Sequence, residues 1–122
     1  MRKHNSTNAL NEQAILDQCG MAYTLSLIGG RWKPSILWAL IRNDKVRYSH
    51  FKKVIPEISD RILALHLREL EADKLIRRVV YAEVPPRVEY ELTDLGRSME
   101  VMLEQMTTWG AFHKEAVKGS AT

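Results

Sequence analysis

Arg61, Leu65 and Arg68 recur at steps of four and three, so on a helix turning ~100° per residue their tips project from one face. Leu63, Leu67 and Leu70 fall on the other side, within ~60° of one another, and form a stripe suited to packing inward. An outward arginine can fork onto the O6 and N7 of guanine, a contact that discriminates by ~1 to 3 kcal/mol, or it can hold a phosphate. An outward leucine has no folding reason to be there, and the methyl group of thymine supplies one. Ser59, Asp60 and Ala64 share the leading half of this segment and belong to the same candidate surface. Upstream, Ser49, Lys52 and Lys53 offer phosphate contacts. Downstream, Arg87 offers a phosphate or minor-groove contact. The chemistry is that of a duplex reader.

The charge is unevenly placed. From Arg31 to Ile55 seven basic residues face one acid, Asp44, whereas from Glu89 to Thr122 six acids face three bases. Such a division presents a positive front to a polyanion and keeps an acidic rear away from it. Charge alone serves a solvated lysine-rich face equally well, so the spacing on the helix has to decide.

Other chemistries find little support. His4, His50, His66 and His113 are dispersed, and no Gly-rich phosphate loop, nucleophile elbow or metal-spaced cluster occurs. No cofactor, metal or enzymatic activity is expected. Cys19 is the only cysteine, which excludes an internal disulfide and cysteine-held zinc and suits a reducing compartment. It precedes a helix start, whose positive end favours an anion, and the thiolate is the form that attacks electrophiles. An inert packed thiol is the equal alternative. Any disulfide must join two subunits or recruit a small thiol. No apolar run approaches the ~20 residues of a membrane helix, and Met1 to Asn11 lacks the apolar stretch of a signal peptide, so a cytoplasmic protein is expected.

At 122 residues one core is expected, with residues 1–12 a flexible polar arm and 13–122 a single domain. Met21, Leu25 and Ile28 mark one face of a first helix, ended by Gly29 and Gly30. A second runs from Trp32 to Arg42, with Pro34 in its first turn and Trp32, Ile36, Leu37 and Leu40 inward. After the β-prone Val46 to Tyr48, Ser49 can cap a short third helix with Phe51 and Val54 inward, stopped by Pro56. Ser59 can cap the fourth. Val88, Tyr90 and Leu92 then alternate with charged residues as a strand, Leu75 to Tyr81 is its antiparallel partner, and 82–86 forms the hairpin tip. The fold class is mainly α with a small β-hairpin wing, a winged helix-turn-helix with N- and C-terminal dimerisation helices.

The last helix is expected over 94–117, capped by Thr93. Leu95, Met99, Met102, Met106, Trp109, His113 and Ala116 alternate steps of four and three along it. That stripe is longer than a small domain can cover, so Met99, Met102, Met106, Trp109 and Phe112 are candidate contacts with a second copy. Packing back on the chain's own core is the alternative.

Leu27-Ile28-Gly29-Gly30-Arg31-Trp32-Lys33, the segments from Ile58 to Arg61 and from Leu67 to Glu71, and Glu83 to Tyr90 through Leu92-Thr93 to Gly96 resemble HxlR-type regulators. Trp109-Gly110 is similar to that family's usual ending. The resemblance covers residues 19 to 110 and implies a bacterial, dimeric winged-helix transcription factor of the MarR-like group. Its double-stranded DNA operator would be pseudo-palindromic, because a two-fold axis sets the reading helices ~34 Å apart. Several members sense electrophiles or oxidants through a cysteine before the first conserved helix, and Cys19 occupies the matching position. Two departures stand out. Gly20 replaces a frequent proline, and Lys74 stands where glycine is usual, at a left-handed cost of ~1 kcal/mol. Ala64 and Leu65 replace residues that are often polar, which points to a different base preference. Two rivals are an interaction module whose basic front binds an acidic protein, and a ligand-sensing regulator without a cysteine switch.

Overall fold

The computed structural model describes residues 13–14 and 18–120, and the expected arm at 1–12 lies outside the described residues. Helix α1 spans Gly20–Ile28 and ends where the Gly29 N–H donates to the Leu25 carbonyl at 2.6 Å. Gly30 then turns the chain at φ 98°, a region open mainly to glycine. Ile28 is buried, but Met21 is 74% exposed and Leu25 is exposed as well. The periodic face exists, and its outer part is left uncovered by the described residues.

Helix α2 (Lys33–Arg42) tolerates Pro34 in its first turn, where no intrahelical donor is needed. It buries Ile36, Leu37, Ala39 and Leu40, while Trp32 sits half-buried ahead of it. Strand β1 (Val46–Arg47) leads into α3 (Tyr48–Val54). Here the sequence reading needs two corrections. Ser49 does not cap α3, because the helix begins at Tyr48 with Arg47 in the cap position, two residues earlier than a Ser49 cap would give, and Ser49 lies within its first turn. Val54 is 50% exposed, because the chain leaves the helix at Ile55 and that residue takes the inward place beside Phe51.

Helix α4 (Asp60–Ala72) is capped as expected: the Ser59 hydroxyl accepts from the Ile62 N–H at 3.2 Å, and Leu63, Leu67 and Leu70 are buried. Replacing Ser59 with alanine should cost ~1 kcal/mol in denaturant unfolding. A loss below ~0.3 kcal/mol would mean that another group satisfies the helix start. The helix exits through Lys74 at φ 63°, the left-handed turn expected there.

Strands β2 (Ile76–Tyr81) and β3 (Arg87–Leu92) form the hairpin, with Ile76 opposite Leu92 and Tyr81 opposite Arg87. Strand β1 adds to the other edge of β3, Val46 opposite Tyr90, giving an antiparallel sheet in the order β1-β3-β2. Phe51 packs edge-on against Tyr90 beneath it, with ring centres 6.1 Å apart.

The helix expected over 94–117 is two helices, α5 (Asp94–Arg97) and α6 (Glu100–Ser120). The Thr93 hydroxyl caps α5 by accepting from Gly96 at 3.0 Å. The break follows because the Ser98 hydroxyl donates to the Leu95 carbonyl at 2.5 Å, and the Met99 N–H turns to Gly96, three residues back. Leu103 is the last buried residue, and from Glu104 to Gly119 every residue is exposed.

Candidate nucleic-acid interface

The α3–turn–α4 unit is held by two bridges. The Tyr48 phenol donates to the Asp60 carbonyl at 2.8 Å, and burial, with the Asp60 carboxylate adding to it, raises that phenol's pKa above its ordinary value. Lys52 donates to the Ile58 carbonyl and pairs with the Asp60 carboxylate at 3.1 Å. Both ends of the Lys52–Asp60 pair are therefore engaged within the protein. Spacing in the sequence places Lys52 and Asp60 among the DNA contacts; the structure brings them to each other at the start of α4.

Along α4 the outward face is open. Arg61 and Arg68 are exposed and make no hydrogen bond or ion pair among the described residues, and Leu65 between them is 38% exposed. Ala64 is half-buried on the flank of this face, and Ser59 combines its capping bond with an exposed position. Two free guanidinium groups around an aliphatic tip suit a surface that reads base edges and methyl groups. Behind them, Glu69 receives His66 at 3.1 Å and Lys33 at 3.2 Å. These two bonds, His66's first, hold the Glu69 carboxyl below the usual range. Lys33 keeps only 12% of its side chain exposed, so this pair fastens the start of α2 to the middle of α4.

Arg87 sits at the tip end of the wing, opposite Tyr81. Its guanidinium lies over the Tyr81 ring, 4.0 Å from the centre, and pairs with Glu83 at 3.4 Å. It steadies the tip, and a phosphate would have to displace Glu83 to reach it. On the far edge of the sheet, Lys45 donates to the Tyr81 phenol at 2.9 Å, and that bond raises the lysine's pKa. Lys45, Arg47 and His50 line an open depression with Ser49 and Lys53. In the sequence Lys45 and Arg47 register only as charge and His50 stands alone, because a loop, a strand and a helix bring them together only through strand pairing.

Cys19 is exposed, and its Sγ stands 3.5 Å from the Ala22 N–H at the head of α1. The expected dimer contacts divide. Met99 and Met102 are half-buried against the protomer's own core, because the first turns of α6 lie along it. Met106, Trp109 and Phe112 are exposed, and Trp109 stacks on His113 at 5.1 Å.

Residues 27–118 match the HxlR-like helix-turn-helix family. The chain is 49% identical over 96 residues to the HTH-type transcriptional regulator YtcD of Bacillus subtilis (strain 168), covering 79% of this chain and 75% of that protein. It is 42% identical over 100 residues to the regulator YybR of the same organism, covering 82% and 79%. Among solved structures, the redox regulator HypR in its reduced form overlays with a TM-score of 0.77 at 41% identity, covering 82% of this chain and 98% of that one. The oxidised form gives 0.73 at 45% identity, covering 76% and 95%. No helix among the described residues is long and apolar enough to cross a membrane. Sequence and structure matches that each span most of the chain agree on transcriptional regulators, and the chain belongs to the HxlR-like helix-turn-helix family of DNA-binding transcriptional regulators.

Proposed function

We propose that the protein acts as a homodimer on a pseudo-palindromic operator, each protomer laying α4 in a major groove with its wing beside the backbone. The observation that carries this reading is the contrast on α4: Arg61 and Arg68 are exposed and unpaired, while the adjacent Lys52 and Asp60 neutralise each other. Arg61 meets a base edge and Leu65 a thymine methyl, with Ala64 leaving room beside it. Arg68, Ser49 and Lys53 hold phosphates, and Ser59 donates its hydroxyl while its oxygen caps the helix. Lys52 and Asp60 aim the helix. The second copy seats on Met106, Trp109 and Phe112, and Met99 and Met102 support that face from beneath.

Selecting bound sequences from random duplexes tests the reading. Arg61→Ala should weaken the selected duplex about 30-fold or more, the equivalent of ~1 to 3 kcal/mol in each of the two half-sites, and flatten the preference at one position per half-site. Lys53→Ala should weaken selected and random duplexes by one common factor. No enriched sequence, or equal losses with Arg61→Ala on both duplexes, would sink it.

Cys19 is the proposed entry point for an oxidant or electrophile. Its exposure and the likeness to a redox regulator support this. An oxidant removes two electrons from two thiols, Cys19 and either the partner's Cys19 or a small thiol, to leave one disulfide. Diamide in the same selection should change affinity in the parent and leave Cys19→Ser unaffected. Identical behaviour of the two proteins would remove this role.

A further inference from the structure

We infer that the depression of about 370 Å³ between the 43–45 loop, β1 and α3 is a seat for a DNA backbone phosphate, distinct from the groove-reading face of α4. The inference rests on the reading of the protein as a duplex binder and extends its footprint to residues with no role so far: Lys45, Arg47 and His50. Three elements each deliver one cation to the rim: Lys45 from the loop, Arg47 from β1 and Lys53 from α3. Ser49, His50 and Lys53 make no hydrogen bond or ion pair among the described residues. The depression therefore gathers polar groups that hold nothing. Its one acid, Glu89, faces Arg47 at 3.7 Å, too far for a good hydrogen bond. Lys45 is set in place by Tyr81, through the 2.9 Å hydrogen bond and the ring 5.6 Å away.

The chemistry of this lining selects an anion. Val46 is its one aliphatic residue, so an apolar effector would find nothing to bury against. A phosphodiester fits better than a free small anion for two reasons. The depression is open to solvent, so a polymer too large to enter an enclosed cavity can reach its lining. It also lies on α3, whose Lys52 binds the first residue of α4, so a duplex engaged by α4 passes beside it. Ser49 and Lys53, at positions i and i+4 of α3, share one helix face and continue the depression toward the turn.

The test measures duplex affinity against salt concentration for the parent, Lys45→Gln, Arg47→Gln and the double variant, with Arg47→Lys as the conservative control. Each neutralised phosphate contributes about 0.9 to the log–log slope. The double variant should lose about 1.8 of slope, 0.9 for each protomer of the proposed dimer, and about a hundredfold in affinity at moderate salt, with its base preference unchanged, and Arg47→Lys should keep most of the slope. Ring signals of His50 should shift when the duplex is added. Arg47 is more than half exposed, so each single variant should fold and gives the measurement on its own. If the parent shows no sequence preference at all, the underlying reading falls. If the parent reads its duplex and the variants keep slope and affinity within twofold, the seat alone falls. Inorganic phosphate or a nucleoside monophosphate shifting His50, with duplex binding unaffected by the variants, would assign the depression to a free anion and overturn the backbone assignment.

Discussion

Replacing Gly96 with alanine should cost the fold about 3 kcal/mol, at the upper end of what overpacking a filled site costs. A Cβ built there would stand 2.0 Å from the Leu75 carbonyl oxygen and 3.0 Å from both its carbon and the Leu92 methyl. The first two are backbone atoms at the mouth of β2, so no rotamer change relieves the contact. Helix α5 would have to lift off the strand, and the bond from the Thr93 N–H to the Leu75 carbonyl, 3.1 Å, would lengthen with it. At this chain length 1 kcal/mol moves the thermal midpoint by roughly 4 °C, so a fall of about 12 °C is expected by calorimetry. Gly20→Ala, where a Cβ meets nothing within 4 Å, is the control and should change little. A Gly96→Ala midpoint within ~2 °C of the parent would mean that this joint opens freely.

Introducing a charge on α6 should dissolve the proposed dimer. Trp109 and Phe112 are 63% and 69% exposed in the protomer, so Trp109→Glu leaves the core from Ile28 to Leu103 as it is. A two-fold interface counts every substitution twice. At ~2 kcal/mol per buried aromatic anchor the pair loses ~4 kcal/mol, or about a thousandfold in self-association. Sedimentation at micromolar concentration should show a dimeric parent and a monomeric Trp109→Glu protein with the same helical signal. A parent that sediments as a monomer would remove the homodimer altogether.

What could be seen in the sequence was local. Leu63, Leu67 and Leu70 announce a buried stripe because helix geometry alone brings them together, and Ser59 announces a cap because its oxygen reaches a donor three residues on. The hairpin shows in the alternation of Val88, Tyr90 and Leu92, and Lys74 in its position after the last helical turn. What stayed hidden depends on distant partners. Gly96 is pressed against Leu75, some twenty residues upstream, while the break after α5 turns on a short-range bond from the Ser98 hydroxyl to the Leu95 carbonyl that apolar periodicity does not show. The engagement of Lys52 follows from a carbonyl at Ile58 that no charge count contains. Arg87 is pinned by a cross-strand tyrosine, and Lys45, Arg47 and His50 meet only once β1 has paired with β3. Periodicity also says which residues share a face, as Met21, Leu25 and Ile28 do, without saying how much of that face the same chain will cover.

The knot of short bonds that joins Lys74 and Leu75 to Thr93 and Gly96 ties the far end of α4 to the root of α6. In the proposed symmetric pair, a bracket of this kind would hold each reading head firmly against its own dimer helix. The gap between the two heads would then be set like the span of a fixed caliper. Operators whose halves are moved by a single base pair, which swings one half-site about 35° around the axis, would present a correct text at an angle that the caliper cannot follow.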